Sequence, residues 1–252
     1  MTEPSTGPST GQRGLRPWGG RRRWVLFDLD GTLLDYAAAE TAAVRATLAD
    51  ARLEPTPELT AAYREINARH WAALERGETT GARLRVERWR ELLAVHGGDH
   101  SDPDELAQRY LAHLAAGAQL HDGAYEVVSD LTEDHAIAYV TNGLADVQRP
   151  RLLASSLAGF AEVVVISDEV GAAKPDPAIF DAAFDQMGRP ERDAVVMVGD
   201  SLSADIAGGR AYGLTTVWLA DAGRPDPVLD DRMPDHRIAR LSELPPLVRG
   251  RA

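Results

Sequence analysis

Trp24-Val25-Leu26-Phe27-Asp28-Leu29-Asp30-Gly31-Thr32 is the stretch on which the fold turns. Four apolar residues in a row read as a short strand buried on both faces, and an acidic pair followed by glycine cannot continue inside such a core. The strand therefore ends where its carboxylates emerge. In an open α/β sheet, ligands bind beyond the carboxyl ends of the strands, so Asp28 and Asp30 stand where chemistry is normally done. Taken alone, the same residues also read as a strand followed by an acidic turn with Gly31 at positive φ. The rest of the chain has to decide between the two.

After Val127 strand and helix alternate, with apolar runs at 136–141, 163–167, 194–198 and 215–219 separated by helical stretches. That alternation predicts an α/β fold, a doubly wound parallel sheet with right-handed crossovers. Polar residues again follow the strands: Thr141, Asn142 and Gly143 after one, Gly199, Asp200 and Ser201 after another. Between the first strand and the next, residues 36–117 are rich in Ala, Leu, Arg and Glu, with turn signals at 54–57, 77–81 and 97–103. They predict four helices, near 36–51, 57–75, 82–96 and 103–116. Thr56 or Pro57, and Ser101, Asp102 and Pro103, suit helix starts. Such a block is too long for an ordinary crossover and reads as a helical domain inserted after strand one, leaving 21–35 and 118–252 as the core domain. Residues 1–20, rich in Gly, Pro, Ser and Thr, are expected to be a disordered leader.

Composition limits the partners. The 252 residues carry a net charge of −12, which opposes affinity for nucleic acid polymers and anionic membranes. The chain has no cysteine, so thiolate metal sites are excluded, and a reducing cytoplasm is the expected location. The apolar run after Arg21–Arg23 ends at Phe27, too short for a secretory signal, and no window approaches a membrane span. A monomer or homodimer is expected. Of 27 basic residues only Lys174 is a lysine. It precedes Pro175, whose ring restricts the residue before it, and its compact ammonium differs from a planar guanidinium fork.

Asp28, Asp30, Thr141, Asn142, Lys174, Asp200 and Asp205 thus form one candidate constellation. Carboxylates that converge on a sheet edge repel one another, and a hard divalent ion relieves this; all-oxygen ligands favour Mg²⁺, which also accepts a phosphate oxygen. The expected partner is a small phosphorylated metabolite. Asp168 and Glu169 are either part of a polar loop or helpers of the Mg²⁺ shell. Gly208, Gly209 and Gly213 are expected to allow close helix packing and a turn. His70, His96, His113, His121 and His135 lack metal spacing.

These residues resemble the haloacid dehalogenase superfamily, whose phosphatases carry four motifs in this order: Asp28–Thr32, Thr141, Lys174 with Pro175, and the GDxxxxD of Gly199–Asp205. The resemblance implies a Rossmann-like core with a helical cap over residues 36–117. It implies that Asp28 is a nucleophile that becomes an aspartyl phosphate and that Asp30 is general acid, then base. It further implies that Mg²⁺ is held by Asp28, Asp200 and the carbonyl of Asp30, with Asp205 in support. Thr141, the Asn142 backbone and Lys174 are then phosphate contacts. VISDEVGAAKPDPAIF and VMVGDSLSADIAGG look most like the pyrimidine 5′-nucleotidase branch, which implies nucleoside 5′-monophosphates as substrates. Phosphoglycolate, sialic acid 9-phosphate and ribitylaminouracil phosphate phosphatases share the core motifs. A 2-haloacid dehalogenase, which lacks the aspartate matching Asp30 and needs no metal, and a non-catalytic binding protein remain as alternatives. Tyr36, Tyr63, Trp71 and Trp89 offer aromatic faces, either for a stacked base or for packing within the helices.

Overall fold

Residues alternate between two faces along each strand, and this sets the layers. A computed structural model describes residues 23–96, 101–220 and 233–250; the 1–20 leader lies outside the described residues. The strands are β1 (Arg23–Phe27), β2 (His135–Thr141), β3 (Ala161–Ile166), β4 (Val195–Gly199), β5 (Thr215–Leu219) and β6 (His236–Ile238). They pair in parallel in the order β3-β2-β1-β4-β5-β6. Val25 and Phe27 join Ile137, Tyr139 and Val198 in one apolar cluster, while Trp24 and Leu26 join Ala138, Val140 and Met197 in another. The sheet is therefore buried on both sides, as the unbroken apolar runs require. Strand order reverses between β1 and β4, the place where ligands bind in such sheets.

Four helices follow β1: α1 (Tyr36–Asp50), α2 (Pro57–Glu75), α3 (Gly81–His96) and α4 (Pro103–Ala116). Asp35, Thr56 and Asp102 cap three of them, accepting from the amides of Ala38, Leu59 and Asp104, and Pro57 and Pro103 take first-turn positions where a missing N–H costs nothing. The chain leaves and re-enters the sheet side by side: the Asp35 amide donates to Gln119 O at 2.9 Å and the His121 amide to Leu33 O at 2.9 Å. Around the sheet lie α5 (Ala124–Leu131), α6 (Ala145–Ala154), α7 (Ser167–Val170), α8 (Pro177–Gln186), α9 (Gly208–Tyr212) and α10 (Leu244–Val248). None of the helices among the described residues is long and apolar enough to cross a membrane.

The structure moves some boundaries. Ser167, expected as the last residue of a strand, opens α7, because its hydroxyl accepts from the Gly143 amide at 2.9 Å and turns the chain there. The strand expected at 194–198 runs one residue later, with Ala194 closing a short 3₁₀ turn. β6 and α10 were not anticipated; three and five residues are too few for a periodic signal.

The four helices share an apolar cluster of their own, and Leu144 and Val147 around the start of α6 belong to it. The helical layer is thereby docked on the sheet's flank, and a salt bridge from Arg85 to Asp146 closes the rim at 2.6 Å. At the centre Tyr63, Trp89 and Tyr110 are buried with ring centroids 4.6–5.6 Å apart. Trp89→Ala is expected to destabilise the protein by about 3–5 kcal/mol through the cavity it leaves, measured by urea unfolding. A loss below about 1 kcal/mol would mean that this cluster does not hold the layer together.

Candidate active site

Asp28 leaves the end of β1 with its amide still bonded to Val198 O at 2.9 Å, which keeps it beside the end of β4. There carboxylate oxygens of Asp28, Asp200 and Asp205 lie within 4.8 Å of one another. Lys174 Nζ donates to Asp28 Oδ1 at 2.6 Å and to Val140 O at 2.6 Å, and sits 2.7 Å from Asp205 Oδ1. The ammonium thus makes two hydrogen bonds and one close ion pair. Burial and charge act together: desolvation pushes the Asp28 carboxyl well above its ordinary value, against the attraction of Lys174 and with repulsion from Asp205 and Asp200. Desolvation also pushes Asp200 up to about 6, with repulsion from Asp205 adding to it. Lys174 has the reverse balance: burial disfavours its charge, and the two aspartates outweigh this and raise its pKa.

Two glycines make room for these carboxylates. Gly31 has φ +87°, and a Cβ there would lie 2.6 Å from Asp200 Oδ2. At Gly199 a Cβ would lie 2.1 Å from Asp205 Oδ2, which accepts from the Ser201 amide at 3.0 Å as the chain folds back through a π-turn over Leu202–Ala207. Thr32 Oγ1 is 3.3 Å from Asp200 Oδ1 and 3.4 Å from Asp28 Oδ2.

The other expected residues converge from β2 and the Lys174 loop. Asn142 spends its side chain on the lysine's backbone: Nδ2 donates to Lys174 O at 2.8 Å, and the Lys174 amide donates to Asn142 Oδ1 at 2.7 Å. Thr141 Oγ1, fully buried, accepts from Gln148 Nε2 at 2.8 Å, which leaves its own proton to donate. Asp30 stands two residues beyond Asp28, with Gln148 Nε2 3.0 Å from Oδ2 and an ion pair from Oδ1 to Arg151 Nη1. Gln148 and Arg151 were not singled out in the sequence. Their signal was there: they lie three apart on the first helix after Thr141, hence on one face.

Residues 23–213 match the haloacid dehalogenase-like hydrolases. The chain belongs to this family. The HAD-hydrolase YfnB of Bacillus subtilis is 34% identical over 89% of this chain and 94% of its own length. The pyrimidine 5′-nucleotidase YjjG of Escherichia coli is 32% identical over 89% of this chain and 97% of its own. A crystal structure of YfnB bound to magnesium, described as revealing interdomain movement, superposes with a TM-score of 0.81, covering 91% of this chain and 99% of that one. The 2-haloacid dehalogenase of Pseudomonas syringae, 29% identical, gives 0.64, covering 92% and 100%.

In this hydrolase a cavity of about 330 Å³ opens between Asp30 and the helical layer. Leu111, Leu114, Leu144, Val147 and Trp71 give it an apolar wall, and Tyr36, Glu40 and Asn67 a polar one. Glu40 is buried, accepts from Asn67 Nδ2 at 2.7 Å and from the Tyr36 hydroxyl at 3.3 Å, and burial raises its pKa. The four aromatic candidates thus divide: Tyr36 and Trp71 line the cavity, whereas Tyr63 and Trp89 pack inside the helical layer. Asp168 and Glu169 are tied to α6, through the Ala145 amide and Arg149, and not to the carboxylate cluster. His70, His113 and His135 pair with Glu91, Asp50 and Asp134. The side chain of His96 lies outside the described residues. Gly208 and Gly209 pack closely, a Cβ there meeting Pro175 and Thr216 at 2.9 and 3.0 Å, and Gly213 makes a turn at φ +92°.

The donor set fits a hard divalent ion: three convergent carboxylates face one ammonium, all ligand atoms are oxygen, and Asp200 is hard to ionise without a further cation. The raised Asp200 pKa makes a folded, cation-free protein bind more protons than the unfolded chain between pH ~4 and about 6, so this group costs stability as pH rises through that window. In EDTA, Asp200→Asn is therefore expected to be more stable than the parent at pH 7.5, by about 1–3 kcal/mol, with the difference closing toward pH 4. Thermal unfolding at both pH values checks this; a difference independent of pH refutes it.

Proposed function

We propose that this hydrolase is a Mg²⁺-dependent phosphomonoester phosphatase acting on nucleoside 5′-monophosphates, pyrimidine ones first, or on a similar small phosphorylated metabolite. The observation that carries the reading is the pair Asp28 and Asp30: one carboxylate held by the sole lysine, the other two residues on at the mouth of a cavity. Asp28 attacks phosphorus, the bond to the leaving oxygen breaks, and that oxygen takes a proton from Asp30. Water then gives a proton to Asp30 and attacks phosphorus, the bond to Asp28 breaks, and inorganic phosphate leaves. Asp28, Asp200 and the Asp30 carbonyl would hold Mg²⁺, with Asp205 in support. When bound it neutralises the repulsion between carboxylate and phosphate.

Thr141 has a proton to donate to an equatorial phosphoryl oxygen, and the Asn142 amide is the neighbouring donor. Asn142's side chain serves the site through Lys174, fixing the loop from which the ammonium reaches Asp28. The cavity supports a leaving group with one apolar face and one hydrogen-bonding edge, as a pyrimidine nucleoside has, with Tyr36 and Trp71 as its aromatic contacts. Dehalogenation accounts less well for Asp30, because a halide departs without a proton and an alkoxide needs one.

Hydrolysis of p-nitrophenyl phosphate is expected with Mg²⁺ and not in EDTA, and Asp28→Asn should fold and be inactive. Lys174→Arg should lose on the order of 100-fold in kcat/KM, since a planar fork cannot replace an ammonium that meets three acceptors in a buried site. Turnover in EDTA, or by Asp28→Asn, overturns the mechanism. Phosphoglycolate or a sugar phosphate preferred about tenfold over every nucleotide overturns only the substrate.

A further inference from the structure

We propose that Gln148 and Arg151 are positioning residues for the Asp30 carboxylate, holding it in the plane from which it delivers a proton to the leaving oxygen. The proposal rests on the phosphatase reading above. Asp30 sits on a turn with its side chain one-fifth exposed beside the cavity. An unrestrained carboxylate there would sample several rotamers, and proton transfer tolerates little misplacement. Both of its oxygens are instead engaged: Oδ2 by Gln148 Nε2 at 3.0 Å and Oδ1 by Arg151 Nη1. A carboxyl group offers about four lone-pair positions, so two remain: one can carry the proton that passes to the leaving oxygen, and once emptied it can accept a proton from water.

The two donors are locked to each other and to their surroundings. Arg151 Nη1 also donates to Gln148 Oε1 at 2.9 Å, and the second amide proton of Gln148 goes to Thr141 Oγ1 at 2.8 Å. Arg151 Nε donates to Gly117 O at 2.8 Å, at the residue where α4 ends and the chain turns back to the sheet. The Arg151 side chain is wholly buried. A guanidinium removed from water in this way needs strong partners, and its one carboxylate partner among the described residues is the proposed acid. A purely structural tie between α6 and the turn would make the same contacts, so the test must separate proton delivery from stability.

Two esters do so. Uridine 5′-monophosphate releases an alkoxide, which needs a proton; p-nitrophenyl phosphate releases a phenolate that departs without one. kcat/KM covers the steps through departure of the leaving group, so the later attack of water on the aspartyl phosphate does not enter. Arg151→Lys and Gln148→Leu, each checked by thermal unfolding, are compared on both esters with Mg²⁺. The expected result is a loss on the order of 100-fold on the nucleotide against less than about tenfold on the aryl ester. Gln148→Leu removes a donor without stranding a charge and carries the comparison if Arg151→Lys fails to fold. Equal losses on the two esters, or no loss on either, overturn the proposal while leaving the phosphatase reading intact. Wild-type turnover of the aryl ester but of no alkyl phosphate, with uridine 5′-monophosphate, phosphoglycolate and a sugar phosphate all tried, overturns it as well, since no alkoxide is then served. Turnover of neither ester sinks the phosphatase reading itself.

Discussion

One ammonium between two carboxylates governs the centre of this molecule. Lys174, buried with its charge intact, meets Asp28 from β1, Asp205 from the turn after β4, and the carbonyl of Val140 in β2. Three neighbouring strands of the sheet therefore share one cation. Removing an ion from water costs several kcal/mol before its partners repay it, so the surrounding backbone has to hold each partner closely. The bracing is visible: Asn142 grips the lysine's own peptide groups, the Ser201 amide fixes Asp205, and Gly199 has no side chain because Asp205 occupies that space.

Topology explains why these groups meet. With β1 and β4 adjacent at the reversal of strand order, the acidic residues that end each strand are delivered to one point, and β2 on the other side adds Thr141 and Asn142. The helical layer approaches the same point from above, but its support comes from the core: Leu144 and Val147 belong to the layer's apolar cluster, and the same helix carries Gln148 and Arg151 down to Asp30. α6 thus packs one way and reaches the site the other.

Much of this was legible in the residues because it depends on local pattern. Unbroken apolar runs marked the buried strands, capped starts at Thr56 and Asp102 marked the helices, and acidic residues that could not stay in a core marked the strand ends. What could not be read was set by distant partners. Tyr63 and Trp71 carry the same kind of surface eight residues apart on α2, yet one is buried among Trp89 and Tyr110 and the other lines the cavity, because α3 and α4 cover only one of them. The Asn142 side chain bonds the peptide groups of the lysine 32 residues later, a partner that no local pattern announces. Gln148 and Arg151 show in the sequence only a shared helix face after Thr141; the docking of α6 is what gives them a carboxylate to hold.

Lys174 also leaves the outside of the protein without a lysine. All the other 26 basic side chains are guanidinium groups, and the single ammonium is 2% exposed and engaged on three sides. Reagents that acylate or cross-link lysine side chains thus find no target on the surface, and a label that does enter at position 174 reports that the pocket has opened and its ion pairs have parted. Nature's lysine-directed marks, acetyl groups and ubiquitin among them, meet the same closed door.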